Sequence, residues 1–217
     1  MAIDLLDNPT LVSRETYVVG TGPNGLAHLE KVKDAKFVIV VNRAVDYDWI
    51  PRHIWLCDDG TLPQKEWFIK NALLYIEHMT IEESSKLLQP TPTPVFSEGK
   101  LLDAYPDVPY YVRHSPGFYA DPPGCHPGVL RGGTSVGGKG VQLAYHLGAK
   151  RIILCGIDMQ GKAYANDPEG HGCNANLRQG GIWAQKDNFN RLIKWLGEKG
   201  VEVVSLSDTA LDVPIVA

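Results

Sequence analysis

Three short stretches of this chain combine residue types that can hold an anion or a nucleotide. The first is Gly20-Thr21-Gly22-Pro23-Asn24-Gly25, directly after the apolar run Tyr17-Val18-Val19. Bare backbone amides opening a helix can bind a phosphate or a carboxylate. Gly20, Gly22 and Gly25 match G-x-G-x-x-G, but Pro23 sits inside the pattern. On spacing alone a tight turn explains these glycines equally well. The second stretch is Gly132-Gly133-Thr134-Ser135. It is another anion-capable turn, and Thr134 or Ser135 could equally cap the helix that follows. The third is Gly156-Ile157-Asp158, after the apolar run Ile152-Ile153-Leu154-Cys155. A carboxylate at such a strand end can accept ribose hydroxyls or sit near a metal; an Asx turn is the plain alternative. Asn42 ends the run Phe37-Val38-Ile39-Val40-Val41. There it could read a base or a ribose, or satisfy a loop amide. Among seven histidines, His171 lies in the polar loop after Asp158. It is the best candidate for a general base, because histidine titrates near neutral pH.

Other constellations are weaker. Cys125-His126 and His171-x-Cys173 could together form a zinc site, but their spacing matches no established pattern. Gly133-Thr134-Ser135-Val136-Gly137-Gly138-Lys139 has the wrong order and spacing for a P-loop. Asp58 and Asp59 are adjacent, and adjacent carboxylates rarely serve one metal together. No Ser–His–Asp arrangement can be argued from chain order.

These residues need elements to bring them together. Runs of continuous apolar residues at 17–19, 37–41, 53–57, 151–155 and 201–204 read as strands buried on both faces, as in a parallel sheet. Between them lie amphipathic stretches. One follows the first glycine-rich loop. Others run from about Pro63 to Met79, from Ser135 to Leu147 and from about Trp183 to Glu198. Gly148 and Gly200 are placed to end the last two helices. Strand–helix alternation predicts a doubly wound α/β fold with a mainly parallel sheet. In such sheets ligands bind beyond the carboxyl ends of the strands, where all the candidate residues fall. Residues 89–130 differ, being rich in Pro, Gly and aromatics. They read as a lid or insertion within a single domain spanning 1–217, with part of 110–113 as a strand.

Composition sets the outer limits. The 217 residues are 44% hydrophobic and 21% charged, which suits one ordinary domain and excludes a disordered chain. The formal net charge of -4 gives no basic excess to neutralise a phosphate backbone, so nucleic acid is not an expected partner. No stretch approaches the ~20 apolar residues that span a bilayer. The first residues, MAIDLLDNPTLVSRE, lack the apolar core of a secretory signal. The expectation is a cytoplasmic protein whose four cysteines stay reduced, with Cys155 as a buried thiol.

The motifs VVGTGPNG, VIVVNR and TSVGGKGVQLAYHLGAKRIILCGIDM, followed by an amphipathic helix and VEVVSLSDTAL, resemble a known family in this order. That family is the bacterial sialyltransferases of glycosyltransferase family 42. The chain equally resembles the related domain of archaeal-type 6-hydroxymethyldihydropterin pyrophosphokinases. The likeness covers residues 16–60 and 131–212 and is strongest over 134–158.

The sialyltransferase resemblance implies a Rossmann-like domain with a lid that transfers a sugar from a CMP-sugar to a glycan acceptor. It implies no required metal, and a homo-oligomer as in those relatives. Carried over, Gly20, Thr21, Gly22, Pro23, Asn42, Thr134, Ser135, Gly156 and Asp158 would hold the nucleotide. Tyr164 matches a family tyrosine near the nucleotide phosphate, and His171 would deprotonate the acceptor. Thr21 stands where the family has an asparagine. The family's catalytic histidine falls close to Trp183, and no histidine occurs after His171. Two alternatives follow: a nucleotide- or sugar-binding domain without catalysis, and a Mg-dependent pterin pyrophosphokinase-like enzyme.

Overall fold

The computed structural model describes residues 3–4, 13–57, 93–96, 110–111, 114–115, 130–131, 134–160 and 179–216. Their strands are β1 (Ile3–Asp4), β2 (Glu15–Val19), β3 (Val38–Val41), β4 (Ile54–Cys57), β5 (Thr93–Phe96), β6 (Tyr110–Tyr111), β7 (His114–Ser115), β8 (Leu130–Arg131), β9 (Arg151–Cys155) and β10 (Glu202–Ser205). Two α-helices, α1 (Val136–His146) and α2 (Gln179–Glu198), and two 3₁₀ helices, Pro23–Val32 and Asn42–Asp46, accompany them. Eight strands form one sheet in the order β1-β6-β5-β4-β3-β2-β9-β10, and every pairing in it is parallel. The chain winds from β2 through β3 to β4 in one direction. It then adds β9 and β10 on the other side of β2. The strand order therefore reverses between β2 and β9. This is the expected doubly wound α/β, Rossmann-like fold.

The apolar runs are continuous because both sheet faces are covered. Val18, Ile39, Val41, Ile54, Leu56, Ile152, Leu154 and Val203 pack under α1 and α2, against Val141, Leu143, Phe189, Leu192 and Leu196. The alternate residues Val19, Val38, Val40, Trp55, Ile153, Cys155 and Val204 pack under the 3₁₀ layer, against Leu29, Val32, Val45, Tyr47 and Ile50. Successive side chains of a strand point to opposite faces, so a sheet with two cores admits no polar alternation.

Both predicted helix stops hold. Gly148 adopts φ 93° and Gly200 φ 74°. The amide of Ala149 donates to the Ala144 carbonyl, and that of Val201 to Leu196. α2 begins at Gln179, so Trp183 lies inside it.

Three expectations change. The stretch after the first glycine-rich loop winds as a 3₁₀ helix, with Pro23 at its start. Its first turn is held down by backbone contacts at Gly22 and Gly25, described below. Within 89–130, the strand expected in 110–113 is present as Tyr110–Tyr111, but Thr93–Phe96 is a further strand of the main sheet and His114–Ser115 pairs with β8. The PTPTPV segment is thus partly sheet, because residues preceding proline favour extended backbone. Finally, β1 has no counterpart in the sequence reading. The remainder of 89–130 and the helix expected over 63–79 lie outside the described residues, as do Asp58, Asp59, Cys125, His126 and Cys173.

Candidate functional site

β2 and β9 are neighbours in register, with Val19 opposite Cys155. Their two following loops therefore leave the sheet side by side, at the reversal of strand order. The loops are joined by their backbones. Gly20 N donates to the Cys155 carbonyl at 2.8 Å, and Gly22 N to the Gly156 carbonyl at 2.8 Å. Asn24 N donates to Asp158 Oδ2 at 2.8 Å. Glycine permits this approach. A Cβ on Gly25 would fall 2.5 Å from Gly156 N, and one on Gly22 would fall 2.6 Å from Asp158 Oδ1. The crevice between β2 and β9 is thus closed at its floor, and a ligand at the switch point would lie above these contacts.

This geometry changes the role open to Gly22. Its amide is committed to Gly156, so it is not free to hold a phosphate in this arrangement. What Gly22 contributes is space for the Asp158 carboxylate, which is only 5% exposed. Asp158 makes no local Asx turn through its bond to Asn24. It ties together segments 134 residues apart.

The second stretch meets the third at Gly137. A Cβ there would fall 3.0 Å from Ile157 Cγ2 and 3.3 Å from Ser135 Oγ. The N-terminus of α1 therefore abuts the Gly156-Ile157-Asp158 turn. Ser135 occupies the N-cap position with extended backbone, yet it makes no side-chain cap bond, and the first turn holds no acidic residue. The expected capping by Thr134 or Ser135 is not seen: the Thr134 hydroxyl lies 3.3 Å from the Ser135 carbonyl instead. The first backbone amides of a helix have no intrahelical acceptor. Together with the helix dipole they form a positive end facing the Asp158 turn. Lys139 lies in the first turn of α1 and is 4% exposed.

Asn42 leaves β3 at the level of the first loop, because Val19 stands opposite Val40. It adopts φ 47° and turns the chain into the second 3₁₀ helix. Asparagine tolerates this left-handed region, so conformation alone accounts for the residue type. Its carbonyl accepts Trp55 Nε1 at 2.8 Å. Cys155 is a buried free thiol, as expected. Burial, and then the nearby Asp158 charge, push it up to about 12, so it stays protonated and unreactive.

The fold thus gathers Gly20, Thr21, Gly22, Pro23, Asn42, Thr134, Ser135, Gly156 and Asp158 at the carboxyl end of the central strands. Tyr164 and His171 lie outside the described residues. Among the described residues, no group of three or more His, Cys, Asp or Glu is placed to hold a metal ion. No described helix is long and apolar enough to cross a membrane. Residues 205–210, part of the motif VEVVSLSDTAL but given no site role from sequence, support the Asp158 turn. The signal was available as Ser205-Leu206-Ser207-Asp208-Thr209, a run of short polar side chains at the end of the last strand.

No protein-family model matches the chain, and no curated protein matches it. Solved structures do. The monofunctional alpha-2,3-sialyltransferase Cst-I from Campylobacter jejuni aligns with a TM-score of 0.52 at 15% identity, over 95% of this chain and 84% of that one. The sialyltransferase CST-II, in complex with a trisaccharide acceptor and CMP, aligns at 0.49 and 15% identity, over 89% and 81%. At such identity the likeness is one of fold: the chain is structurally related to the Cst-I sialyltransferase in the course of its doubly wound α/β domain.

Proposed function

We propose that the protein is a transferase acting on a nucleotide-activated substrate, a metal-independent, sialyltransferase-like glycosyltransferase that uses a CMP-sugar and a glycan acceptor. The observation that carries this reading is the uncapped N-terminus of α1, set against a buried aspartate at the reversal of strand order. A positive helix end and a carboxylate side by side suit a nucleoside monophosphate: amides for the phosphate, a carboxylate for hydroxyls. In this reading Ser135 and the first α1 amides take the phosphate. Thr21, Asn42 and Asp158 take ribose or base, while Gly20, Gly22, Pro23 and Gly156 shape the floor and Thr134 supports the turn. The acceptor oxygen attacks the anomeric carbon and loses its proton to His171. The bond to CMP breaks, with Tyr164 beside the departing phosphate. The domain is single, with a lid or insertion drawn from 89–130. The motif resemblance to family 42 supports the CMP-sugar, and the fold likeness to Cst-I is consistent with it.

One observation favours a second reading, a domain that binds the nucleotide without catalysis. Trp183 stands near the family's histidine position and lies within α2. A melting-point screen with CMP, CDP, UMP, GDP and ATP, each with and without Mg²⁺, tests the proposal. Saturation at 100 times the dissociation constant adds about 2.7 kcal/mol. A metal-independent shift with CMP, followed by CMP release from a donor sugar, is the expected result. A shift with CMP and no turnover moves the reading to the non-catalytic domain. A shift only with ATP and Mg²⁺ moves it to the pyrophosphokinase, and no shift at all removes the nucleotide.

Ser135→Ala separates binding from folding. Losing an N-cap serine ordinarily costs about 1 kcal/mol. Here no cap bond exists to lose. Stability should change by less than about 0.5 kcal/mol, while CMP affinity falls roughly tenfold through a lost phosphate contact. Titration calorimetry with denaturation on the same samples reads both, and a large stability loss with unchanged affinity would reverse the assignment.

A further inference from the structure

The Asp158 turn does not hold itself. Gly156 adopts φ 68° and Met159 φ 53°, so left-handed residues flank Ile157 and Asp158. A non-glycine residue in that region costs free energy and persists only where its surroundings fix it. The surroundings here are the residues after β10. Ser207 Oγ accepts the Gly156 amide at 3.1 Å. Ser207 is itself fixed by Ser205, whose hydroxyl donates to the Ser207 carbonyl at 2.6 Å. Thr209 Oγ1 donates to the Ile157 carbonyl at 2.7 Å and accepts Leu211 N at 3.2 Å. Ala210 N donates to the Asp158 carbonyl at 2.8 Å. Asn24 closes a ring: its amide holds the Asp158 carboxylate, and its side chain donates to the Asp208 carbonyl at 2.9 Å.

We infer that the 205–210 segment is a strap that sets the position of the Asp158 carboxylate, with Ser207 and Thr209 as its positioning residues. The ring joins the loop after β2, the turn after β9 and the chain after β10. The chemistry is specific to the hydroxyl. Thr209 must donate to a carbonyl and accept an amide at once, which valine cannot do although it fills the same volume. That this position matters for ligand affinity rests on the proposed reading of Asp158 as a ligand carboxylate.

The test reads the strap without any ligand. Residue-resolved amide exchange on the full-length protein follows Asn24, whose protection reports the Asp158 carboxylate, and Val204 and Ile153, which report the sheet. Thr209→Val should lower Asn24 protection at least tenfold and leave the sheet amides as they were, and Thr209→Ser should restore it. Ser207→Ala gives a second route, through lost protection of the Gly156 amide. Unchanged Asn24 protection in Thr209→Val, or an equal loss in the sheet, would overturn the inference. CMP titration of the same variants then separates the two claims. A tenfold weaker Kd in Thr209→Val, recovered in Thr209→Ser, extends the strap to binding. If the parent protein binds no CMP while Asn24 protection still depends on Thr209, the strap stands and the nucleotide reading falls. Equal CMP affinity in all variants overturns the functional part.

Discussion

Gly25→Ala should cost about 3 kcal/mol of stability, near the upper end of the range for forcing atoms into a packed site. The new methyl would meet backbone, at 2.5 Å from Gly156 N. Backbone cannot swing aside as a side chain does. Relief requires that the first loop part from the β9 turn, which breaks the Gly22–Gly156 bond and loosens Gly25 against the Cys155 thiol, now 3.5 Å from its carbonyl. Gly22→Ala makes the contrast. Its methyl meets the Asp158 carboxylate, which can rotate away and give up its bond to Asn24. That loss should be about 2 kcal/mol, one net hydrogen bond to a charged group. Urea denaturation of the three proteins would show midpoints falling in the order parent, Gly22→Ala, Gly25→Ala, with unchanged slopes. If Gly25→Ala lay within 0.5 kcal/mol of the parent, the two loops could not be in backbone contact.

The two glycines also show how far the sequence could be read. The pattern Gly20, Gly22, Gly25 marked a loop with unusual demands, but the neighbours that explain it lie at the β9 turn, 130 residues away for Cys155 against Gly25 and 134 for Asp158 against Asn24. A one-dimensional pattern states that a side chain is missing, and only the neighbour says why. The strands were legible because burial on both faces leaves an uninterrupted apolar run, as in Val38–Val41. The stops at Gly148 and Gly200 were legible because a left-handed residue is a local requirement. β5 was hidden by its proline, and two-residue strands such as β1 carry no period to detect. The candidate site was legible as a set of strand ends. The bonds that hold it were not, since Ser207 and Thr209 have no meaning without the turn they support.

Among the described residues, the two ends of the sheet also differ in how their charges are buried. At the amino ends of the strands, Arg151 is bracketed by Glu15 at 3.2 Å and Glu202 at 3.0 Å. These groups are well exposed, and such pairs contribute little. At the carboxyl ends Asp158 and Lys139 are buried, each about 5% exposed or less, while Asp208 after β10 is exposed. Electrostatic work is concentrated where water is excluded, at the end of the sheet where the proposed ligand would bind.

His53 should make the protein lose roughly 2–3 kcal/mol between pH 7 and pH 4.5. Its ring is 4% exposed and stacks on Phe37 with centroids 5.0 Å apart. Nδ1 accepts the Val38 amide at 3.0 Å, so the folded state holds the neutral ring. Burial pushes its pKa down to about 4, against 6.5 when exposed. The unfolded chain therefore binds a proton more readily than the folded one across this interval. The stabilisation is complete above about pH 6.5 and disappears as pH falls toward 4, at up to about 1.4 kcal/mol per pH unit. Carboxylates elsewhere add their own pH dependence, so the measurement is a difference. His53→Asn keeps an acceptor for Val38 and removes the titration, at the cost of the stacked ring. It should be less stable than the parent at pH 7 and close much of that gap by pH 4.5. Parallel denaturation curves at the two pH values would contradict the buried neutral histidine, and with it the account of how His53 holds β3 through Val38 and Phe37.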